Sequence, residues 1–581
     1  MPALFANSAL PDTPGLSPSC TWVEHLQRAA AAHGDSPALT LLGDGENETA
    51  KVTYAELDER ARSIAAHLQA AQILPGERVL LLYPSGLEFM VAFFGCLYAG
   101  VIAVPAFPPR MNRNFQRLQC IFDDARPTCV FTTTAMLSKR DAAPEMQSIP
   151  WMATETLSIH TAGHWQPPAL HAGSIAFLQY TSGSTSAPKG VIVTHANLMA
   201  NHEMLRHAFA QDASSTIVVW LPLFHDMGLI GNVMQALYLG AHAVLMPPET
   251  FVTKPVRWLR AISRYRAHTS GGPNFGYDLC ARKVTPAQME GLDLSCWKVA
   301  FNGAEPVRAE TLRNFSRAFS SFGFRETALY PCYGLAEATL FVAGGTPGQI
   351  PVTRGNGASP GSDKVSCGRG WLDSEILIVD PQQLTELPPD TTGEIWVRGP
   401  HVAAGYWNQP EATSLTFQAR LAEGDDAPYL RTGDLGCVTQ DGLWVEGRLK
   451  DLMIIAGENH HPGDVEQTVE ASHSRLRSNA SAAFSVEVDG TERLVVLAEL
   501  GRPEKLPEKS VSPPAVENAE TLRNEILKSV RQGVSEQHGI SVHDLVLLPP
   551  MGVPKTSSGK IQRHAARRLY LDQHLKSRPV S

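Results

Sequence analysis

Cysteine is scarce in this chain, which holds nine cysteines among 581 residues. They lie at positions 20, 96, 120, 129, 280, 296, 332, 367 and 437, and no two of them form a Cys-x-x-Cys pair. An odd number at irregular spacing argues against a disulfide framework and against a zinc site. We therefore expect reduced thiols and a cytoplasmic protein.

The chain also lacks an excess of positive charge. Its 49 lysines and arginines are outnumbered by 58 aspartates and glutamates, which gives a formal net charge of −9 with histidine neutral. Nucleic-acid-binding proteins normally carry a basic excess, so we expect no nucleic-acid partner. No lysine or arginine precedes Arg28, so we also expect no signal peptide with a charged first region.

Long hydrophobic runs are few, and one uncharged stretch, residues 89–109, has the length of a membrane span. Glycine and proline interrupt it at Gly95, Gly100, Pro105, Pro108 and Pro109. This punctuation favours a buried helix that ends near Gly100, followed by a short strand at 101–104. We expect no integral membrane segment.

What the sequence does contain is an alternation of strand and helix patterns. Apolar, β-branched runs at 79–83, 101–104, 128–132, 217–221 and 243–246 alternate with helical patterns such as 54–71. The alternation predicts an α/β fold of layered, mixed or parallel sheets with helices. Thr53 and Glu56 have the spacing of a capping box at the start of the 54–71 helix.

The second half of the chain changes in composition twice. Residues 344–370 are rich in glycine, proline and serine and predict a loop, and strands at 376–380 and 394–397 predict a β-rich section. A further change near residue 450 predicts the main domain boundary. Beyond it we expect helices at 464–472 and 520–538 and a strand pair within 482–500.

A loop rich in serine, threonine and glycine follows the apolar strand pattern at 174–178. It reads Tyr180-Thr-Ser-Gly-Ser-Thr-Ser-Ala-Pro-Lys-Gly190. Gly183 can adopt backbone angles that turn N–H groups inward, the hydroxyl groups are donors, and Lys189 adds a positive charge. These features favour phosphate binding, although the Walker A pattern is absent and a solvated surface loop is the alternative.

One catalytic motif matches in residue types but not in structural context. Gly357-Ala-Ser-Pro-Gly361 fits Gly-x-Ser-x-Gly, but a nucleophile elbow needs a strand before it and a helix after it. Here the pattern lies inside the predicted 344–370 loop, with a proline directly after the serine. We therefore exclude a serine hydrolase.

Two motifs place polar side chains just after predicted strands. His225 and Asp226 are either a catalytic pair or a turn with a helix cap. Tyr333 and Glu337 either stack on a base and bind a hard cation, or mark a capped helix start. Each motif is ambiguous when it is considered alone.

Three segments nearer the end of the chain are equally ambiguous. Asp434 and Arg448 lie in two turn sequences and either bind ribose hydroxyls or pair with each other. The segment Pro554-Lys-Thr-Ser-Ser-Gly-Lys560 is, by itself, a flexible basic loop.

Taken together and in this order, the motifs resemble those of the adenylate-forming enzymes: acyl-CoA synthetases, peptide-synthetase adenylation domains and luciferase-like ligases. Seven blocks carry the resemblance, namely Tyr180–Gly190, Trp220–Gly231, Asn302–Pro306, Cys332–Leu340, Thr432–Gly436, Gly447–Glu466 and Pro554–Lys560. Within the superfamily the chain most resembles the fatty acyl-AMP ligases, mainly through the second and fourth blocks.

The resemblance implies a large N-terminal AMP-binding domain over residues 1–450, a hinge at Lys450, and a small mobile α+β domain over 451–581. It also implies a two-step reaction with Mg²⁺ as cofactor. A medium- or long-chain fatty acid and ATP give acyl-AMP and pyrophosphate. The acyl group then passes to the phosphopantetheine thiol of a holo acyl carrier protein, in polyketide, peptide or lipid biosynthesis.

Matching the motifs also implies residue roles. Lys560 would bridge the attacking carboxylate and the α-phosphate, Glu337 would bind Mg²⁺, and His225 would lie beside the carboxylate. The implied nucleotide-binding residues are Thr181, Ser182, Gly183, Ser184, Thr185 and Lys189 at the phosphates, Asn302, Gly303, Ala304, Tyr333 and Gly334 at adenine, and Asp434 with Arg448 at ribose. The implied acyl-binding residues are Phe224, Met227, Gly231, Met234 and Phe275, for each of which ordinary core packing is the alternative.

The thiol acceptor stays open at this point. Fatty acyl-AMP ligases usually carry an insertion after the Tyr-Gly-Leu-Ala-Glu block that is linked to their failure to use coenzyme A. Residues 341–366 are shorter than that insertion, so a fatty acyl-CoA synthetase is the alternative. A non-catalytic acyl- or nucleotide-binding scaffold is a remote one, because Lys560, Glu337 and Asp434 are all present.

Overall fold

The computed structural model describes residues 20–108, 116–138, 140, 146–181, 188–355, 363–424, 426–455, 458–488, 491–501, 519–556 and 559–572. The helices in these ranges are α1 (Trp22–His33), α2 (Tyr54–Ala70), α3 (Leu87–Ala99), α4 (Gln116–Ala125), α5 (Thr134–Leu137), α6 (His195–Ala208), α7 (Asp226–Gly228), α8 (Gln235–Leu239), α9 (Pro248–Thr253), α10 (Val256–Arg264), α11 (Asn274–Lys283), α12 (Ala309–Phe319), α13 (Pro410–Phe417), α14 (Pro462–Ser472), α15 (Ala519–His538) and α16 (Arg563–Leu571).

The strands are β1 (Pro37–Leu42), β2 (Glu48–Thr53), β3 (Arg78–Leu82), β4 (Ile102–Ala106), β5 (Cys129–Thr132), β6 (Trp151–Ala153), β7 (Ile175–Tyr180), β8 (Gly190–Thr194), β9 (Ile217–Val219), β10 (Ala243–Leu245), β11 (Thr269–Gly272), β12 (Val299–Asn302), β13 (Leu329–Gly334), β14 (Phe341–Gly344), β15 (Thr353–Arg354), β16 (Lys364–Val365), β17 (Arg369–Gly370), β18 (Glu375–Val379), β19 (Gly393–Arg398), β20 (Leu430–Thr439), β21 (Gly442–Arg448), β22 (Met453–Ile455), β23 (Glu458–His460), β24 (Leu476–Val488), β25 (Thr491–Leu500) and β26 (Val542–Leu548). The α/β fold predicted from the alternation of patterns is confirmed.

The largest sheet has nine strands in the order β17-β14-β13-β12-β11-β9-β10-β1-β2. Strands β1, β10, β9, β11, β12 and β13 run parallel, so their carboxyl ends lie along one edge. In open α/β sheets, ligands bind in the crevice outside this edge. The loops that leave β9, β11, β12 and β13 there contain the residues discussed below.

A second sheet has six strands in the order β6-β5-β3-β4-β7-β8. Helix α3 lies between the two sheets, because it contacts β1 and β2 of the first and β3 and β4 of the second. The helix ends where Gly100 adopts a left-handed conformation with φ +71°. The buried helix and short strand predicted for residues 89–104 are therefore confirmed, and among the described helices none is both long and apolar enough to cross a membrane.

Local sequence signals are confirmed as well. The Thr53 hydroxyl accepts the Glu56 N–H and the Glu56 carboxylate accepts the Thr53 N–H, which completes the capping box of α2. All nine cysteines lie in the described ranges, and all are free thiols.

The predicted loop at 344–370 is only partly correct. It contains the two-residue strands β15, β16 and β17, of which the first two pair with each other and the third pairs with β14. A two-residue strand is too short to show an alternating apolar pattern, so composition does not reveal it. Strand β17, for example, belongs to the sheet only because it pairs with β14. The Gly357–Gly361 pattern lies outside the described residues.

The β-rich section is a four-stranded antiparallel sheet in the order β18-β19-β20-β21. After it, β24, β25 and β26 form a three-stranded sheet that packs with α14 and α15 around a separate hydrophobic core. Lys450 is exposed in a single 3₁₀ turn, Leu449–Asp451, between β21 and β22. The boundary and hinge at Lys450 stay predictions.

Candidate active site

Asn302 ends β12 at the carboxyl edge of the large sheet and is fully buried. In the turn that follows, Ala304 has a positive φ of +68°. A Cβ at Gly303 would lie 2.9 Å from the carbonyl oxygen of Cys332, so this turn packs closely against β13. Further along the turn, Glu305 accepts the backbone N–H of Phe275 at 2.7 Å.

Tyr333, near the end of β13, contacts the β-rich section through its hydroxyl. The hydroxyl donates to Oδ2 of Asp434 at 2.7 Å, and the Nε of Arg448 lies 3.2 Å from Oδ1. Asp434 and Arg448 are register partners on β20 and β21. They pair with each other, as one of the two sequence alternatives states, and their ribose contact stays a prediction.

Glu337 lies in a 3₁₀ turn after β13 and accepts the Tyr406 hydroxyl at Oε1, 2.9 Å away. The Lys189 ammonium lies 4.4 Å from the centre of the same tyrosine ring. Burial raises the pKa of Glu337 and lowers the pKa of Lys189. One aromatic side chain therefore contacts the carboxylate through its hydroxyl and the ammonium through its ring.

The candidate phosphate loop begins at Thr181, directly after β7. Its N–H donates to the carbonyl of Lys189 at 3.1 Å, which closes the loop at its base. Arg117 donates to the Thr181 carbonyl at 2.8 Å. Ser182, Gly183, Ser184 and Thr185 lie outside the described residues, so their roles stay predictions. No sequence signal pointed to Arg117.

Lys560 lies in a loop that packs near the carboxyl edge of the large sheet. The Thr556 N–H donates to the Lys560 carbonyl at 2.8 Å, and the Lys560 N–H donates to the Thr556 hydroxyl at 3.0 Å. Gly559 has a φ of +89°, and a Cβ there would lie 3.6 Å from Cε1 of Phe275. The loop therefore packs on α11 of the large sheet's carboxyl edge.

The charge of Lys560 is balanced by groups from several loops. Burial lowers the pKa of its ammonium, and Arg448 acts in the same direction. The carboxylates of Asp226, Asp434 and Glu305 act in the opposite direction. The structure thus brings Lys560 into electrostatic range of the loops after β9 and β12 and of strand β20.

His225 is half-buried in the loop after β9. Burial lowers its pKa to about 3, and the charges of Lys560 and Arg117 act in the same direction, so the imidazole is neutral at pH 7. Asp226 accepts the N–H of Met227 at 2.7 Å. The Asp226 carboxylate therefore binds the backbone at the start of α7, while the charge of Lys560 acts on the imidazole.

The predicted acyl-binding residues separate into two groups. Phe224, Met227 and Phe275 are half-buried, whereas Gly231 and Met234 are fully buried in a π-helical segment, Leu229–Met234. Met234 belongs to the main hydrophobic core. The burial of Gly231 and Met234 agrees with ordinary core packing, and an acyl contact for all five stays a prediction.

Trp220 is a neighbour that sequence reasoning did not assign. Its ring lies 5.7 Å from that of Phe275, edge to face. A Cβ at Gly272 would lie 2.5 Å from Cζ2 of the indole. The glycine at the end of β11 leaves the space that Trp220 fills beneath Phe275.

No group of three or more histidine, cysteine, aspartate or glutamate side chains in the described ranges is arranged to hold a metal ion. Glu337 is a single half-buried carboxylate beside Lys189 and Arg448. One or two carboxylates plus substrate phosphates and water are the usual ligands of Mg²⁺ in nucleotide sites. Glu337 therefore fits a magnesium ion that arrives with ATP.

The comparison with family models finds one match, to the AMP-binding enzymes, over residues 26–407. Two curated relatives carry names of the same kind. The medium-chain-fatty-acid–[acyl-carrier-protein] ligase JamA of Moorena producens is 42% identical over 95% of this chain and 95% of its own. The ligase of the same description, TtuA, of Teredinibacter turnerae is 34% identical over 92% of this chain and 90% of its own.

Among solved structures, a fatty acyl-adenylate ligase from Legionella pneumophila, in complex with acyl adenylate and pyrophosphate, is 40% identical. It superposes with a TM-score of 0.72 and covers 95% of this chain and 96% of that one.

Proposed function

This chain belongs to the AMP-binding enzymes, and from that premise we propose that it is a fatty acyl-AMP ligase. It activates a fatty acid with ATP to acyl-AMP and pyrophosphate, then passes the acyl group to the phosphopantetheine thiol of an acyl carrier protein. The names of the two ligases from Moorena and Teredinibacter support a medium-chain acid and a carrier protein. The observation that carries the proposal is the position of Lys560 among His225, Asp434 and Arg448.

The chemistry explains why these groups are needed. A fatty carboxylate is a poor acyl donor because its leaving group would be oxide, and a mixed anhydride with AMP has a good one. The carboxylate itself attacks the α-phosphate, so no protein nucleophile is required. Catalysis then consists of positioning two anions and neutralising their charge. Lys560 does this between carboxylate and α-phosphate.

The remaining groups hold the nucleotide. Tyr333 stacks on adenine beside the turn at 302–304, and Asp434, paired with Arg448, accepts the ribose hydroxyls. Lys189 and the loop after Thr181 bind the β- and γ-phosphates. Glu337 holds Mg²⁺, which neutralises phosphate charge when bound.

The neutral state of His225 has a chemical use. An uncharged imidazole beside the fatty carboxylate donates a hydrogen bond without drawing the carboxylate away from Lys560. The ring of Phe224 lies 4.8 Å from the imidazole, and it excludes water from the alkyl chain together with Phe275. Rotation about Lys450 then removes Lys560 and admits the thiol. We also propose a cytoplasmic location, which the nine free cysteines support.

The decisive experiment uses purified protein, Mg-ATP and a ladder of radiolabelled fatty acids. Each acid is incubated alone, with coenzyme A, and with a holo acyl carrier protein, and the products are separated. We expect acyl-AMP that accumulates with coenzyme A and is consumed by the carrier protein. Absence of acyl-AMP at every chain length would refute the proposal.

The second candidate is a fatty acyl-CoA synthetase. The short segment 341–366 favours it, and one relative, 36% identical over 94% of this chain, is named a putative fatty-acid–CoA ligase. Efficient formation of acyl-CoA in the same experiment would make this the function.

A further inference from the structure

One ion pair joins the loop before α12 to α14. The Nη1 of Arg308 donates to Oε2 of Glu470 at 2.9 Å. The side chains are 24% and 5% exposed, respectively. The pair is therefore largely withdrawn from water, unlike most ion pairs on a protein surface.

Both partners are held in place by their own surroundings. The backbone N–H of Arg308 donates to Oδ1 of Asn274 at 3.0 Å. On the other side, Oε1 of Glu470 accepts the Ala480 N–H at 2.9 Å. The backbone of Arg308 and the carboxylate of Glu470 are therefore fixed before they meet, which reduces the entropy that the pair loses on forming.

Further charged residues surround the pair where the 302–308 loop meets α14 and the Lys555–Lys560 segment. Glu305 lies in the same loop as Arg308, and the two sense each other's charge. On the other side of the contact, the positive charges of Lys555 and Lys560 both attract the Glu305 carboxylate. The charge of Lys555 also attracts the Glu470 carboxylate. Each ionised group therefore faces a charge of opposite sign from the other side of the contact.

We infer that Arg308 and Glu470 are positioning residues for adenylation: their ion pair selects the arrangement in which Lys560 occupies the site. The inference rests on the proposed function and on rotation about Lys450. Rotation would separate α14 from the 302–308 loop and would break this charge-assisted hydrogen bond. The pair consequently favours acyl-AMP formation and opposes the arrangement for thiol transfer.

The test measures the two half-reactions separately in Arg308→Gln, Glu470→Gln and the double variant. The glutamine at 470 keeps an oxygen for the Ala480 N–H and removes only the charge. We expect each single variant to lower the maximal rate of acyl-AMP formation about tenfold, with the KM for ATP little changed. The double variant should be no slower than either single one, because the two residues act as a pair.

Thiol transfer is measured from isolated acyl-AMP to a holo carrier protein, and we expect its rate to be unchanged or raised. Arg308→Lys should restore part of the adenylation rate, which a purely structural role would not predict. Arg313→Gln is the matched control, since Arg313 lies in α12 and its partner, Asp363, is outside α14. Equal slowing of both half-reactions, or additive effects in the double variant, would overturn the inference.

Hydrogen–deuterium exchange of the ligand-free protein gives a readout that does not depend on activity. In Arg308→Gln we expect faster exchange in α14 and in residues 559–563, with unchanged exchange in α15. Unchanged exchange in α14 would refute the ion-pair role. If the unaltered protein forms no acyl-AMP, the proposed function fails, and the exchange result still decides the role of the pair.

Discussion

For single residues, the main feature is the contrast between Lys560 and His225. Burial lowers the pKa of both. The imidazole is thereby kept neutral, whereas the lysine must stay protonated to neutralise two anions. The same desolvation therefore supports one side chain in its role and works against the other.

This contrast predicts a pH dependence. Because the folded-state pKa of Lys560 lies below the ordinary value of 10.5, its charge is lost at a lower pH than that of an exposed lysine. The rate of acyl-AMP formation should fall as the pH rises through the lowered pKa of Lys560 in the folded protein. Lys560→Arg should extend activity to higher pH, since a guanidinium stays charged there. Pyrophosphate release between pH 7 and 10 measures both profiles.

Lys560→Ala provides the reference for that experiment. We expect a loss of about 10²–10³ in rate, as for other charged contacts in closed sites, with an unchanged unfolding temperature. Lys254→Ala, which removes the ammonium paired with Glu46, should retain full activity. If Lys560→Arg lost activity at the same pH as the unaltered protein, this would contradict the role assigned to the charge of Lys560.

Sequence reasoning identified residues better than it identified partners. Tyr333, Asp434 and Arg448 could be named because they stand in motifs, and the structure brings all three together. Trp220 received no role although it begins one of the motifs, and Arg117 received none because an isolated basic residue has no spacing to recognise. Their positions depend on packing between distant segments, which a linear pattern does not contain.

Among helices and strands, the existence of elements was predictable and their order in the sheets was not. The apolar runs at 79–83 and 101–104 became β3 and β4, and the capping box fixed the start of α2. The strand order of the nine-stranded sheet joins β10 to β1 across most of the N-terminal half. Such pairing is nonlocal and leaves no trace in the periodicity of either strand.

The β13–β14 hairpin gives a prediction of its own. A Cβ at Gly334 would lie 1.9 Å from the carbonyl oxygen of Leu340, so backbone must move to admit it. We expect Gly334→Ala to destabilise the protein by about 1–3 kcal/mol and to slow acyl-AMP formation, because Glu337 lies within this hairpin. Urea unfolding and pyrophosphate release measure the two effects.

Gly163→Ala is the control for that substitution. A Cβ at Gly163 would meet nothing within 4 Å. We expect its unfolding free energy to stay within about 0.5 kcal/mol of the starting value. Comparable losses in the two variants would show that the close approach at Leu340 is not the cause.

For the protein as a unit, the proposed rotation about Lys450 is the main test of mechanism. Proline at 450 would fix φ near −65° and remove one N–H, which restricts rotation there. We expect Lys450→Pro to slow thiol transfer at least tenfold more than acyl-AMP formation, as measured in separate half-reactions. Lys450→Ala, which keeps the backbone free, should affect neither step to that extent. Equal slowing by proline would count against a hinge.

Acid stability is a second property of the folded protein as a unit. Four buried histidines have lowered pKa values, about 4 for His25, His195 and His401 and about 3 for His202. The pKa of histidine in the unfolded chain is near 6.5. Below that pH the unfolded chain binds protons at these four positions, whereas the folded protein does not. Their contribution to stability is complete above pH 6.5 and is lost as the pH falls towards 4.

The expected slope is large enough to measure. Each such group lowers the free energy of unfolding by up to about 1.4 kcal/mol per pH unit in this window. Urea unfolding at pH 7, 6 and 5 should show a steadily falling midpoint, and His25→Gln should reduce the slope. A midpoint that is independent of pH would contradict the burial of neutral histidines.

Lys560 follows the nucleotide-binding residues in the sequence, and this order bears on how the protein is made. A ribosome synthesises Lys189, Glu337, Asp434 and Arg448 before it reaches Lys560. An emerging polypeptide can thus assemble the nucleotide-binding groups while the last cation is still missing. Fatty acids and ATP would then meet a receptive but inactive surface, and catalysis would begin only after the segment that contains Lys560 has been synthesised.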